Sequence, residues 1–442
     1  MRLNRLLLAV LAGLGILLML LSITNVVEML HLRGHFPLPQ YDFETYYLAA
    51  ASLNSETQPI VYPLETLRST SEQLGLDLVW ISPYLYPPIW AVFLRPVARF
   101  PLESAKTLWL GINLAALFIV TIVLVHTFAR SSALRVAIPL GVLLIAFSPV
   151  TMTLVLGQVN LILLALIVGA LALTQRTQSS TKAEIAAGWL LGLATAIKLF
   201  PGILILPFLL QRRYRVVVWT VIAFAAFGLM GIWGAGWGNT YSYLSTVLLG
   251  LVGKGKQLWI NQSLLGVGER LFHGYSWTFP FRLVPEGSLT VGVVPLADNL
   301  PLGRALARLA SVVIGLATLA ILWGRRREAA RPGSHAAWSS IGLLLVLTLI
   351  VSPVVWDSNF TLALVVTGIL AIQLPYMTPG RQATTLIGLL LTWLFILGIR
   401  FWYWIFVITP YPPAWTSAPG LVAAFILWLM LAVPYSKDQQ RS

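Results

Sequence analysis

A chain of 442 residues that is 58% hydrophobic and 10% charged is no water-soluble globule, because soluble domains carry about a quarter charged residues; a mean hydropathy of +0.84 reads instead as a polytopic membrane protein. The formal net charge of +14 sits mostly in short loops between apolar runs, so it points to a bilayer and not to nucleic acid. The sequence has no cysteine, which excludes disulfides, thiolate ligands and thiol nucleophiles and leaves carboxylates, His, Lys, Arg and hydroxyls for any chemistry.

The opening MRLNRLLLAVLAGLGILLMLLSITNVV combines a basic start with an apolar run from Leu6 to Val27 and no small-x-small cleavage site. It reads as a retained first helix at 6–28. Further apolar runs follow at 104–127, 135–150, 158–174, 184–199, 201–211, 215–233, 305–323, 337–351, 359–375, 383–399 and 418–434, which makes about twelve transmembrane helices. The weakest are 184–199 and 201–211, split by KLFPG; the second is short enough for a tilted or partly inserted helix. YLYPPIWAVFLRPVARF, Tyr84 to Phe100, is apolar but short and bounded by Pro. Counting it as a span would invert every later loop, so it is assigned to the outer surface as a juxtamembrane or re-entrant helix.

With the amino terminus in the cytoplasm, HTFARSSALR, QRTQSSTK, QRRYR, GRRREAARPG, PYMTPGRQ and the tail SKDQQRS all fall inside, each with at least one Lys or Arg, as the positive-inside rule asks. Both termini are then cytoplasmic. The outer face receives two long loops, about 30–103 and 234–304, together with SPVTMTLVLGQVN, SPVVWDSNF and the aromatic RFWYWIFVITPYPPAW. No tandem repeat, low-complexity tract or linker breaks the chain. The expected architecture is one all-α integral-membrane domain over 1–442, with juxtamembrane helices in the two outer loops.

The polar residues that stand out all fall on that outer side. In PQYDFETYYLAAASL, Asp42 and Glu44 precede Tyr46 and Tyr47, and Phe43, the tyrosines, Ala50 and Leu53 recur at helical spacing, as for a helix lying along the interface with its aromatics toward lipid. Taken alone, Asp42 reads first as a helix cap. Lys198 of TAIKLFPG ends an apolar run, where a cation needs an anionic partner or an interfacial exit. NQSLLGVGERLFHG brings Asn261, Gln262, Arg270 and His273 to the second loop, the last two able to share a helix face unless this is an ordinary amphipathic surface helix. Asp357 opens a helix after Trp356 and so also suits a cap. A carboxylate first, a basic cluster later and apolar surroundings suggest a site for a phosphate carried on a greasy tail: Arg gives bidentate contacts and Lys a point charge, and a nearby carboxylate takes a proton from an incoming hydroxyl.

In their order, YDFETYYLAAASL, YLYPPIWAVFLRPVARFPLESAKTLWLGINL, GQVNLILLALIVGALAL, AAGWLLGLATAIKLFPGILILPFLLQRRYR, NQSLLGVGERL and SPVVWDSNF resemble glycosyltransferase family 87 over roughly residues 40–360. That family comprises C-type, membrane-embedded transferases typified by polyprenol-phosphate-mannose-dependent alpha-mannosyltransferases of bacterial lipoglycan assembly. The resemblance implies a polyprenyl-phosphate sugar donor, a glycolipid or glycan acceptor, and an active site at the outer face of the cell membrane. It implies Asp42 as general base, Gln158 and Asn160 of GQVN at the entrance of a helix, Lys198 of Lys-Leu-Phe-Pro, and Asn261, Gln262, Ser263 and Arg270 of the second loop. Lys198, Arg270 and, on position alone, His273 are the candidate donor-phosphate ligands. Glu44, Tyr46, Gln158, Asn160, Asn261, Gln262 and Asp357 are candidate substrate contacts. The sequence departs from the family at Ser358 and Asn359, where relatives often carry His.

A single phosphate leaving group needs only cations to meet its developing charge, so no cofactor or metal is expected, and an inverting displacement needs one base. Asp42 is therefore read as the base and Glu44 as solvated. Two other classes fit the basic cluster: a transporter or flippase of lipid-linked sugar, for which repeats and a midplane site are wanting, and a ligase that moves a whole glycan from a lipid diphosphate.

Overall fold

A computed structural model describes residues 40–433 apart from 56, 58, 79–80, 130–143, 145–146, 176–178, 253–254, 256–257, 259, 281–287 and 410. The expected first span at 6–28, most of 135–150 and both termini lie outside the described residues.

The described chain is largely helical. α1 (Tyr41–Ser52) and α2 (Leu64–Gln73) lie, with the short α3 (Pro88–Leu94), which starts on Pro88, in the stretch expected as the first outer loop. Seven residues rise about 10 Å, so the Tyr84 to Phe100 segment holds no full span. α4 (Leu102–Leu124), α5 (Ser148–Leu156), α6 (Asn160–Thr174) and α7 (Thr181–Ile197) follow. After a 3-10 turn at Phe200–Leu204 come α8 (Ile205–Leu210) and α9 (Tyr214–Ser242). α10 (Leu264–Leu271), α11 (Leu300–Gly324), α12 (His335–Val351), α13 (Ala363–Gln373), α14 (Pro379–Ile408) and α15 (Pro419–Ala432) complete the helices used below.

Among the described residues five helical stretches suffice by length and composition to cross a membrane: Leu102–Phe128, Tyr214–Leu251, Leu300–Gly324, Asp357–Tyr376 and Pro379–Ile399. Asn160–Thr174, Phe200–Leu210, His335–Val351 and Pro419–Ala432 are apolar but shorter. All run between two sets of loops that bond within themselves. At one end Arg325 donates to the carbonyls of Leu431 and Ala432, Arg213 to Ser179 Oγ, and the Gly333 N–H to Gln175 Oε1. At the other end the Gln262 N–H meets the Val355 carbonyl, and Val294 pairs with Pro413.

α7 and α9 lie close because Gly188 and Gly192, four apart on α7, leave room: a Cβ at Gly188 would stand 2.5 Å from Trp219 Cβ, and one at Gly192 would stand 2.5 Å from Ala223 Cβ. Small residues at this spacing are how helices approach where lipid offers no hydrophobic drive.

Two expectations are corrected. α1 does not turn its aromatics to lipid: Phe43, Tyr46, Tyr47, Ala50 and Leu53 are all buried in protein. Phe43 stacks on Trp109 at 5.2 Å between ring centroids, and Trp90 packs between Tyr46 and Trp109. Glu44 is not solvated but is 5% exposed and paired with Lys106 at 2.7 Å. The stretch expected as the second outer loop holds, besides α10, an antiparallel hairpin of β1 (Tyr275–Pro280) and β2 (Ser288–Val293) in register Tyr275↔Val293.

Candidate active site

The site is assembled at the start of α1. Gln40 precedes the helix at φ 46, donates its N–H to the Val155 carbonyl at 2.9 Å and its side chain to the Lys106 carbonyl at 3.1 Å. Gly157 ends α5 at φ 68, a left-handed conformation that glycine takes without strain. A Cβ there would lie 2.7 Å from Phe43 Cβ, so the position also needs a bare backbone. Trp109 Nε1 holds the Gly157 carbonyl at 2.8 Å. Asp42 thus lies in the first turn of α1, one residue past its start, against the turn that carries Gln158.

Two amides of that turn collect the remaining groups. Gln158 donates Nε2–H to Asp42 Oδ2 and accepts the Tyr86 O–H on Oε1 at 3.3 Å. Tyr46 O–H donates to Tyr86 Oη at 2.8 Å. Asn160 accepts from Lys198 Nζ at 3.4 Å and donates to Ser358 Oγ at 3.0 Å. Lys198 follows the last residue of α7 and stands over the Tyr86 ring, 5.8 Å from its centroid. The Asp42 carboxylate is close enough for its charge to act favourably on Lys198. One carboxylate and one ammonium therefore lie on either side of the Tyr86 side chain, the first through Gln158 and the second over its ring.

Asp357, 7% exposed, accepts from Ser148 Oγ at 3.3 Å and so ties its turn to α5. The cap-like bond at that turn comes from Asn359, whose Oδ1 accepts the Trp356 N–H at 3.1 Å.

The second-loop candidates Asn261, Gln262 and Arg270 bond mainly to backbone. Arg270, 0% exposed, gives Nη1 to the carbonyls of Leu258 and Asn261 at 2.7 Å each, Nη2 to the Ser417 carbonyl at 3.1 Å and Nε to Ser417 Oγ at 2.9 Å. Burial lowers its pKa to about 9, opposed by the Glu269 carboxylate, so it keeps its charge at neutral pH. Its fork holds the backbone, and the structure does not bring it to Asp42 as a phosphate ligand. Asn261 clasps the turn before Trp356 by donating to the Pro353 carbonyl at 3.0 Å and accepting the Val355 N–H at 2.9 Å. Gln262 donates to the Ser417 carbonyl at 3.2 Å and accepts the Gly420 N–H at 2.9 Å; Ser263 caps α10. These residues position the turn that carries Ser358. His273 pairs with Asp298 at 2.7 Å on the exposed side of the loop.

Sequence reasoning missed Tyr86 and Ser358 as members of the cluster and Lys106 as the partner of Glu44. Tyr86 lies in a segment read for topology and for motif order, with no role given to the residue itself, and Ser358 stands out only as a departure from the family. Among the described residues no group of three or more His, Asp or Glu is placed to hold a metal ion.

The model of the family described as glycosyltransferase family 87 matches residues 84–353, more than half of the chain; Asp42 lies before that stretch. The chain is 26% identical over 329 residues to a polyprenol-phosphate-mannose-dependent alpha-(1-2)-phosphatidylinositol mannoside mannosyltransferase of Mycolicibacterium smegmatis, covering 68% of this chain and 64% of that protein. It is 29% identical over 188 residues to the protein of the same description in Mycobacterium tuberculosis, covering 40% and 41%. It is also 27% identical over 217 residues to an alpha-(1->3)-arabinofuranosyltransferase of Mycobacterium tuberculosis, covering 48% and 47%. The alignments span less than two thirds of the length of these relatives.

Proposed function

We propose, from the premise that this chain belongs to glycosyltransferase family 87, that it is an inverting hexosyltransferase that moves mannose from a polyprenyl-phosphate carrier to a hydroxyl of a glycolipid or glycan acceptor at the outer face of the membrane. The observation that carries this reading is the joining of Asp42, Gln158, Asn160 and Lys198 through two amides of one turn. Asp42 takes the acceptor proton as the new bond to the sugar C1 forms, and the C1–O bond to phosphate breaks on the opposite face. Lys198 meets the charge that develops on the departing phosphate, at a boundary where little water competes. Gln158 holds the carboxylate in place from one side, with its own orientation set by Tyr86. Mannose as the sugar rests on the names of the mannosyltransferase relatives, and the outer face on the charge pattern of the loops. No step in this scheme requires a metal.

The test supplies the detergent-solubilised chain with polyprenyl-phosphate mannose and, separately, polyprenyl-phosphate arabinofuranose, each with a phosphatidylinositol mannoside acceptor. Transfer of mannose with inversion at C1, read by NMR of the product, is expected. Transfer of arabinose alone would reassign the sugar; retention at C1 would remove Asp42 as a simple base. No transfer with either donor, but movement of the donor across vesicles carrying the protein, would make it a transporter.

A further inference from the structure

The stretch expected as the second outer loop holds a wide-mouthed, open cavity of about 520 Å³ between α10, β1 and the start of α11, with Leu258 and Leu300 as its apolar lining and Glu269, His273, Tyr275 and Arg304 around it. Its size falls in the range of small-molecule sites, about 300–1,000 Å³. Glu269 is 1% exposed. Its Oε1 accepts from Arg304 Nε at 2.8 Å and from the Gly255 N–H at 3.0 Å, while its buried Oε2 has no hydrogen-bond partner among the described residues. A buried acceptor left unmet is costly and asks for a donor.

The surroundings select the chemistry of that donor. A metal ion would face the Arg304 guanidinium on the same carboxylate, and an anion would face Glu269 itself. A neutral ligand rich in hydroxyls meets both: one O–H donates to Glu269 Oε2, a neighbouring oxygen accepts from Arg304 at the rim, and its C–H face lies on Leu258, Leu300 and the half-buried Tyr275 ring. We propose that this cavity is a second carbohydrate subsite, which holds a sugar of the acceptor glycan away from the reacting hydroxyl. The proposal rests on the transferase reading given above. It also explains how the cavity connects to the site: Arg270, next to Glu269, grips the Leu258 and Asn261 carbonyls, and Asn261 holds the turn that leads to Ser358.

The probe is α-linked mannotriose, added to the full-length chain in detergent with no donor present and followed by saturation-transfer NMR. The expected result is binding that Glu269→Gln and Tyr275→Ala each weaken about tenfold or more, the scale of one hydrogen bond to a charged group. In transfer assays both variants should raise KM for the acceptor about tenfold and leave KM for the donor unchanged. If Glu269→Gln proves unstable, Tyr275→Ala, outside the Glu269 ion pair, carries the test alone. Mannotriose that fails to bind, or that binds the wild type and Tyr275→Ala alike, overturns the subsite. Because binding is read without donor, an absence of transfer from any lipid-phosphate sugar would sink the enzymatic reading and leave this result standing by itself.

Discussion

Gln158 and Asp42, 116 positions apart in sequence, are joined by a side-chain hydrogen bond in which the amide N–H donates to the carboxylate, while the amide carbonyl receives the Tyr86 O–H. An amide held at both ends cannot flip, so the carboxylate meets a donor of fixed direction. Gln158→Leu should therefore lower kcat roughly 5- to 150-fold, as for about 1–3 kcal/mol lost from a buried partner, in a protein that is still folded at the assay temperature. Steady-state kinetics beside a thermal unfolding curve checks this. An unaltered kcat would make the contact incidental.

Lys198 and Arg270 should part company on mutation, although sequence alone groups them. Lys198→Ala removes an ammonium beside Asn160 and Tyr86 and should weaken donor binding by about 1.5–3 kcal/mol. Arg270→Lys replaces a fork that holds three carbonyls and a hydroxyl with a point charge that cannot span them. It should lower the unfolding temperature and leave KM for the donor within about twofold in the folded fraction. A raised donor KM with unchanged stability in Arg270→Lys would return Arg270 to the phosphate site.

The buried pair of Glu44 and Lys106 predicts an asymmetry. Lys106 has a second carboxylate, Glu103, at 3.2 Å, so Glu44→Gln still leaves the ammonium paired and should cost about 1–3 kcal/mol. Lys106→Met strands a carboxylate that is 6% exposed and should cost about 3–5 kcal/mol. Burial already raises the Glu44 pKa against the pull of Lys106. Stability from a carboxyl whose folded pKa is raised is full below its unfolded pKa and is lost as pH rises through the folded one. Lys106→Met should accordingly regain stability on acidification, which unfolding curves across pH will show or deny.

Sidedness has its own test. Arg325, Arg326 and Arg327 lie in the loop that bonds to the end of α15, the end assigned to the cytoplasm by its charge. A reporter active only outside the cell, fused in the loop at 325–333, should stay silent. A strong signal would invert the topology and move Asp42 to the other face.

Much of this was legible in the sequence, for physical reasons that also explain the rest. Apolar runs and loop charges are local, so the helices at Leu102–Leu124, Tyr214–Ser242 and Leu300–Gly324 could be read directly. Asp42, Gln158, Asn160 and Lys198 stand in separate motifs; the structure bonds Gln158 to Asp42 and, two residues on, Asn160 to Lys198, with Lys198 over the Tyr86 ring that Gln158 holds. Helix α1 was misread because it is packed on nearly every side, so that Glu44, Thr45 and Ser52 are buried along with its aromatics; a stripe chosen from it as lipid-facing was one choice among several. The fate of Arg270 was hidden for another reason. Its partners are carbonyls at Leu258, Asn261 and Ser417, and a backbone carbonyl leaves no mark in a sequence.

The central claim is that Asp42 acts as a base, and Asp42→Asn tests it most directly. Asparagine keeps the size of the side chain and an oxygen that can accept from Gln158, and it serves a helix start about as well as aspartate, but it cannot take a proton. The account predicts a folded protein that binds polyprenyl-phosphate mannose with unchanged affinity and transfers it at least about a hundredfold more slowly. Transfer at a near-normal rate by Asp42→Asn would contradict it.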